Sequence, residues 1–174
     1  DIKKLVDKAV VEAYITSIQG KCLGYVSVFQ ASDELLLITN DYKTEELVAH
    51  LDRYIITEDV EITLNQKPNC LLFTGEGIEQ WLQQEQPQGT LVANHWFNQS
   101  SYWFFGELSN AQQNALQRLT DEQVHAVRIH AGTPIYGDDV TEENLAQEVN
   151  RNQQAISFTK GCYLGQEPIA RIDA

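Results

Sequence analysis

The chain has 174 residues, 43% of them hydrophobic, and its 25 acidic and 12 basic side chains give a formal net charge of −13. This composition supplies a core for one domain or two small intertwined subdomains, and it argues against disorder. The acidic balance disfavours wide contact with a nucleic-acid backbone, and no apolar run approaches the ~20 residues that span a bilayer. Because methionine is absent, we expect a piece of a longer protein.

The first third of the chain predicts strands followed by one helix. The predicted elements are the strands Val10–Thr16, Leu23–Gln30 and Glu34–Thr39, a helix over Lys43–Tyr54 and a strand over Val60–Leu64. The first two strands form a hairpin around Gly20, and Ser32-Asp33 turns the chain into a third, buried strand. The helix follows from helical spacing of its apolar residues, with Asp41 or Thr44 as its cap.

The next part repeats this plan. Its predicted elements are the strands Cys70–Thr74, Thr90–Phe97, Tyr102–Leu108 and Val124–His130, and helices over Ile78–Gln84 and Asn110–Leu119, the second capped by Ser109 or Asn110. The β-α-β-β-α-β order predicts an α+β fold of plait-like subdomains with mostly antiparallel sheets. We divide the chain into a first plait-like part (1–66), a second (67–130) and a loop and signature segment (131–174).

The most informative stretch is Lys160-Gly-Cys-Tyr-Leu-Gly-Gln-Glu167. The thiolate of a cysteine is its reactive form, and a nearby cation such as Lys160 favours it. The glycines allow a sharp turn or a close approach to a ligand. The sequence alone leaves two interpretations of Cys162 equally open: a functional thiol, or a small buried hydrophobe in a turn.

Other metal and nucleotide signals are weak. The three cysteines contain no C-x-x-C pair, so a complete disulfide framework is excluded and a reducing cytosol fits best. His125 and His130, five apart on a predicted strand, point to opposite faces, and we expect no metal site. Gly75-x-Gly77 lacks the third glycine of a dinucleotide loop and predicts only a tight turn.

Several stretches, in the right order, resemble the folate-binding YgfZ-type proteins, which are relatives of the glycine cleavage aminomethyltransferase. They are the signature at 160–167, Arg128-Ile-His-Ala-Gly-Thr-Pro-Ile-Tyr-Gly-Asp-Asp139, Leu145-Ala-Gln-Glu148, Ile156-Ser-Phe158 and the early turn Ile18-Gln-Gly-Lys21. Compared with that family, the chain is expected to begin inside the first subdomain and to lack the C-terminal β domain.

The resemblance implies an aminomethyltransferase-like folate-binding fold of interleaved plaits, with a tetrahydrofolate cleft. It implies a cytoplasmic protein that assists the maturation or repair of iron–sulfur proteins, including enzymes that thiolate tRNA. Folate and iron–sulfur client proteins are the expected partners, without direct nucleic-acid or membrane binding. Cys162 is the candidate functional thiol, and the expected cofactor-binding residues are Arg128, Asp139, Lys160, Gly161, Tyr163, Gln166 and Glu167.

Each candidate also has a plain structural interpretation. Asp139 matches a position at which the transferase branch holds the pteridine with a glutamate, and a carboxylate accepts two hydrogen bonds from an aminopyrimidine edge; otherwise it is an acid at a helix N-terminus. Arg128 would neutralise Asp139 or contact the folate tail, or form an ordinary ion pair. Lys160 would hold the thiolate or a folate carboxylate, or be a solvated surface residue. Gln166 and Glu167 would orient the loop or point at the ligand.

Two other functions stay open. In the transferase branch the early hairpin carries adjacent aspartates, but here the matching positions are Gly24 and Tyr25, and there is no carboxylate between Glu12 and Asp33. This argues against an aminomethyltransferase. The second alternative is a non-catalytic interaction module, for which an acidic surface is suited to basic partners. A stable four-cysteine cluster cannot be built from three cysteines, so any cluster at Cys162 would be shared with another chain.

Overall fold

The structure is a computed structural model that describes residues 5, 10–31, 34–39, 43–65 and 69–173. The chain divides into two compact units. The first is formed mainly by Val11–Gln66 and Pro134–Ala174, and the second mainly by Lys67–Thr133. The expected α+β class is confirmed in its general form, because helices accompany two small three-stranded sheets among the described residues. No helix in the described ranges is long and apolar enough to cross a membrane.

The first unit contains the predicted early strands. Its elements are the strands β1 (Val10–Thr16), β2 (Cys22–Ala31) and β3 (Glu34–Ile38), followed by helix α1 (Thr44–Asp52). β2 lies in the middle of the sheet, and its antiparallel pairing with β3 sets Val28 opposite Leu37. Leu47 of α1 is buried against Gly24, where an added Cβ would lie 2.8 Å from the leucine methyl groups. Glycine at position 24 thus leaves room for the Leu47 side chain in the arrangement observed here.

The last forty residues return to the same unit in short elements. They are a 3-10 helix at Ala146–Val149, helix α5 (Asn152–Ala155) and helix α6 (Gln166–Asp173). The buried core of this unit joins β2 to them and consists of Cys22, Tyr25, Tyr136, Val140, Ala146 and Ile169. A core built from the two ends of the sequence brings the early hairpin beside the signature.

The second unit is built on an aromatic-rich sheet. Its elements are β4 (Cys70–Thr74), helix α2 (Ile78–Glu85), β5 (Gly89–Asn94), β6 (Ser101–Gly106), helix α3 (Asn110–Asn114) and helix α4 (Asp121–Ala131). β6 is central and pairs antiparallel with both β4 and β5. Phe73 packs against Phe104 and Trp81, with ring centroids 5.5 and 5.6 Å apart. The predicted capping of α3 by Ser109 is confirmed, although the helix is five residues shorter than predicted.

The predicted strand at Val124–His130 is wrong, because these residues belong to α4. Thr120 accepts a hydrogen bond from the backbone N–H of Gln123, whose side chain bonds back to Thr120. This capping box satisfies two amides of the first turn, and Gly132 ends the helix in the left-handed conformation at φ +67°. These local signals outweigh the short apolar alternation that favoured a strand.

Three further predictions need correction, and two others lie outside the described residues. Val60–Leu64 forms no strand, because no other described segment pairs with it. β3 is half exposed rather than buried, with Leu35 and Leu37 47% and 46% accessible. α1 has no side-chain cap and begins at Thr44, so Thr44 is not its cap. The Ser32-Asp33 turn and the Asp41 cap lie outside the described ranges.

Candidate functional site

The signature forms an irregular segment that leads into α6. Residues 158–163 have no regular structure, a turn follows at 164–165, and the helix begins at Gln166. Gly161 and Cys162 are exposed, Tyr163 is half-buried, and Gly165 is buried. The thiol of Cys162 is therefore accessible, which removes the interpretation of this cysteine as a buried hydrophobe.

The early turn and the signature touch through their backbones. Gly165 has φ +78°, and a Cβ there would lie 2.5 Å from the carbonyl oxygen of Ser17. Gly20 has φ +77°, and a Cβ there would lie 3.1 Å from Cγ of Pro168. The hydroxyl of Thr16 also donates to the carbonyl of Leu164 at 2.6 Å. Gly165 is required here by close approach as well as by conformation, whereas Gly20 is favoured by its positive φ and packs tightly on Pro168.

This contact leaves an open cavity of about 590 Å³ beside the signature. Its lining includes Ile18, Tyr163, Leu164, Gln166, Glu167 and Arg171. The wall therefore combines apolar and aromatic surface with an amide, a carboxylate and a guanidinium. Small-molecule sites commonly have this volume and this mixture of groups.

Lys160 contacts an aromatic ring of the same segment. Its ammonium lies 4.2 Å from the centroid of the Tyr163 ring, a cation–π distance. Burial lowers the pKa of Lys160 and raises that of Tyr163. The lysine thus packs on the ring that lines the cavity, and it is not simply a solvated surface residue.

Asp139 closes a local loop. Its carboxylate accepts a hydrogen bond from the backbone N–H of Ile135 at 2.8 Å, and its own N–H donates to the carbonyl of Ile135 at 2.9 Å. The side chain is exposed. It does not precede a helix directly, because Tyr136 and Val140 form an isolated bridge across this loop.

Arg128 lies in the second unit rather than on a strand face. It is 2% exposed on α4, and it donates to the carbonyl of Thr133 at 3.2 Å. Its Nε also lies 3.2 Å from Nδ1 of His125. These contacts fix the end of α4. Asp139 belongs to the first unit, and the pairing of the two residues stays a prediction.

A buried ion pair supports the segment before the signature. Arg151 donates from Nε to Glu12 at 3.0 Å and makes a second bond from its NH2 group to the same carboxylate, which also accepts from the Tyr25 hydroxyl. Glu12 and Arg151 are each 6% exposed. Burial and the Glu12 carboxylate raise the pKa of Tyr25, so its hydroxyl stays protonated and donates. The pair joins β1 to the start of α5.

The three thiols differ in their environments. Burial, reinforced by the Glu148 carboxylate, raises the pKa of Cys22 to about 12, and burial raises that of Cys70 to about 11. Both therefore stay protonated near neutral pH. Cys162 is the exposed cysteine. Among the described residues, no group of three or more His, Cys, Asp or Glu side chains could hold a metal ion.

The structure brings together some of the candidate residues and adds others. Tyr163, Gln166 and Glu167 line one cavity, whereas Arg128 lies in the other unit. Sequence reasoning missed Ile18 and Arg171 as lining residues, and the Glu12–Arg151 pair. The spacing of Arg171 four residues after Glu167 was an available signal, since i and i+4 lie on one helix face.

Replacing one partner of the buried Glu12–Arg151 pair should lower the stability by more than expected from the pair's net contribution, because the other partner is left buried and unpaired. We expect Arg151→Met to lower the free energy of unfolding by about 3–5 kcal/mol, since it leaves the Glu12 carboxylate buried without its cation. The double variant Glu12→Leu/Arg151→Met should lose less than the sum of the single variants, with a coupling of about 1–3 kcal/mol. Urea unfolding measures all three, and strict additivity would contradict this account.

The two glycines of the signature should respond differently to alanine. Gly165→Ala should cost about 1–3 kcal/mol of stability, because a side chain is strained at positive φ and collides with the Ser17 carbonyl. Gly161 is the matched control, because no atom lies within 4 Å of its added Cβ, and Gly161→Ala should change stability by less than about 0.5 kcal/mol. Equal thermal unfolding of the two variants would refute the close turn–signature contact.

Comparison with known proteins supports the resemblance found in the sequence. No protein-family model matches the chain. It is 25% identical over 166 residues to the tRNA-modifying protein YgfZ of Aliivibrio fischeri, a match that covers 88% of this chain and 52% of the relative. The protein of the same name from Hamiltonella defensa is 27% identical over 89% of the chain. A third, from Blochmanniella pennsylvanica, is 41% identical over 66 residues, which is 37% of the chain.

The matches also bear on length and family. The chain spans about half the length of the curated relatives that it matches over most of its own length, 52% in each case. Several of these relatives carry the same name, and the similarity extends well beyond the signature. Over most of its length, the chain is thus similar to proteins that carry the name YgfZ.

Proposed function

We propose that the chain carries the tetrahydrofolate-binding surface of a protein that assists the maturation or repair of iron–sulfur enzymes, including enzymes that modify tRNA. The observation that carries this proposal is the cavity of about 590 Å³, which residues 163–167 of the signature line together with Ile18 and Arg171. The link to tRNA modification comes from the relatives, which are named tRNA-modifying protein YgfZ. The proposals of a folate ligand and of iron–sulfur client proteins rest on the resemblance of the signature to that of the YgfZ-type proteins.

The groups around the cavity fit a folate. The half-buried ring of Tyr163 offers a flat face for the pteridine, as aromatic side chains do in ligand pockets. The Glu167 carboxylate and the Gln166 amide supply the acceptors and donors that an aminopyrimidine edge needs. Arg171 lines the same cavity and suits a carboxylate of the glutamate tail. Bound tetrahydrofolate would supply one-carbon or reducing chemistry at its pteridine.

Lys160, Gly161 and Asp139 have supporting roles in this proposal. Lys160 packs on the Tyr163 ring, and it holds that ring in place while bringing positive charge near an anionic ligand. Gly161 leaves open space beside the exposed thiol. Asp139 shapes its loop through Ile135, and its exposed carboxylate is proposed to accept hydrogen bonds from the pteridine. Arg128 is proposed to act by fixing the end of α4.

Cys162 is proposed as the working thiol of the site. It lies next to Tyr163 in sequence and is exposed, while burial raises the pKa of each of the other two cysteines. An accessible thiol can act as a nucleophile, a redox-sensitive group or a transient iron ligand. The cluster of a client protein would then be its substrate, held together with ligands from that client.

The finer features of the fold belong to the same proposal. We infer an aminomethyltransferase-like folate fold of interleaved plaits, with parts at 1–66, 67–130 and 131–174. The protein would act in the cytoplasm, on iron–sulfur clients and without direct nucleic-acid contact. The acidic net charge of −13 supports the last point, since phosphate binding relies on Lys and Arg.

An aminomethyltransferase is less well supported. An aspartate at position 24 would place its Cβ 2.8 Å from Leu47, and Tyr25 is buried and bonded to Glu12. The two positions that would carry the transferase aspartates are thus engaged in core contacts, position 24 with Leu47 and Tyr25 with Glu12. A glycine-cleavage assay of the purified protein decides this, and turnover would favour the transferase.

Calorimetric titration with tetrahydrofolate tests the cavity. We expect micromolar binding, weakened about tenfold or more by Tyr163→Ala, because the loss of a stacked ring costs about 1–3 kcal/mol. Phe158→Ala is the matched control, because Phe158 is exposed and is not among the cavity-lining residues. Asp139→Ala reports whether that carboxylate contacts the pteridine. Absence of binding by the folded protein would remove folate from the function and favour the interaction module.

Substitution of the thiol separates binding from activity. Cys162→Ser should keep the stability and the folate affinity, because the side chain is exposed and the change is isosteric. It should abolish rescue of an iron–sulfur tRNA-modifying enzyme in cells that lack the native protein. Cys70→Ser is the control for loss of a thiol in general. Full rescue by Cys162→Ser would show that the thiol has no such role.

A further inference from the structure

An extended segment after α1 has the pattern of a strand but no partner. Val60, Ile62 and Leu64 alternate with polar residues, the period of a strand with one apolar face. In the described part of the chain, the segment joins neither of the two sheets. Among the residues that the structure describes, the backbone groups of 60–64 also make no turn or loop hydrogen bond. Backbone groups without protein partners are a template for another strand.

Most apolar side chains in and just before this segment face solvent, and Ile62 is half-buried. Ile56 is 85% exposed, Val60 58% and Leu64 41%. Isolated exposed apolar residues are ordinary, but here they recur along one extended stretch. Burial of their accessible surface by an added strand would stabilise the pairing.

The same segment is acidic. Glu58, Asp59 and Glu61 are all exposed, and no Lys or Arg occurs from 54 to 65. The Glu58 carboxylate accepts hydrogen bonds from the backbone N–H groups of Ile56 at 3.1 Å and Thr57 at 3.0 Å. These bonds lower its pKa, so the charge persists in mildly acidic solution. A second copy of this segment would bring like charges together, which disfavours self-pairing.

We propose that residues 59–64 bind an extended basic segment of a partner protein by addition of a β-strand. Main-chain hydrogen bonds would give the affinity, and alternate side chains the specificity. The partner strand would place apolar residues against Val60, Ile62 and Leu64 and Lys or Arg against Asp59 and Glu61. None of residues 59–64 is among those that line the cavity, so this proposal does not rest on folate binding.

The test is titration of the whole chain with the acetylated and amidated peptide Lys-Val-Lys-Val-Lys-Val-Lys. We expect saturable binding that weakens with added salt. Asp59→Lys/Glu61→Lys should weaken binding about tenfold or more and create binding of the matching Glu-Val peptide, because the charge complementarity is reversed. Ile62→Pro should weaken the binding of both peptides, since proline has no backbone N–H to donate to the added strand. Circular dichroism checks that each variant is folded.

The control variant is Glu76→Lys/Glu85→Lys, which makes the same charge change at exposed positions of the second unit. It should bind the basic peptide as the parent does. Equal weakening by the two charge variants would show only general attraction to an acidic protein and would overturn the proposal. Absence of peptide binding would overturn it, as would self-association through residues 59–64 or loss of binding in a protein as long as the relatives.

Discussion

The contact between the Ser17–Lys21 turn and the signature is the constraint on which the candidate site depends. Gly165 and Gly20 both adopt positive φ; an added Cβ would collide with the Ser17 carbonyl at Gly165 and would lie tightly against Pro168 at Gly20. The Thr16 hydroxyl adds a hydrogen bond to Leu164. Because α6 begins immediately after Gly165, this contact sets the position of Gln166 and Glu167 beside Ile18.

Other contacts within the first unit stabilise the segments on either side of this contact. Lys21 forms a bridge with Leu145, and the Cys22 amide donates to Asn144 at 2.9 Å. Gln147 donates to the carbonyl of Ile169 at 2.6 Å, which attaches the 3-10 helix to α6. The Glu12–Arg151 pair holds the chain before α5. Residues far apart in sequence thus meet around one small core, while the Cys162 loop projects from it and stays accessible.

Local patterns predicted the fold where local forces dominate. The early strands, the Gly20 turn and the Ser109 cap are encoded by β-rich runs, a glycine and a capping residue. The strand prediction for Val124–His130 was wrong because the short alternation of apolar residues was given more weight than the Thr120 capping box and Gly132. Val60–Leu64 has a strand pattern, yet a strand also requires a partner, which a local pattern cannot supply. The exposure of β3 likewise depends on which neighbours cover it.

The site was predictable in its chemistry more than in its geometry. The signature indicated Tyr163, Gln166 and Glu167 as candidate binding residues, and these three line one cavity. The part played by Ile18 follows from the fold of the turn onto Gly165, a long-range contact that no local spacing reveals. Glu12 and Arg151 are separated by 139 residues. Nothing in the local sequence distinguishes Glu12 from the other acidic residues, so its burial could not be predicted.

The most direct test of the central claim is an NMR titration of the isotopically labelled chain with tetrahydrofolate. If the turn and the signature form the folate surface, the largest amide shifts will cluster at Ile18, Tyr163 to Glu167 and Arg171. The amides of the second unit around Phe104 will move little. Saturable shifts centred elsewhere, or no shifts at millimolar folate, would contradict the account.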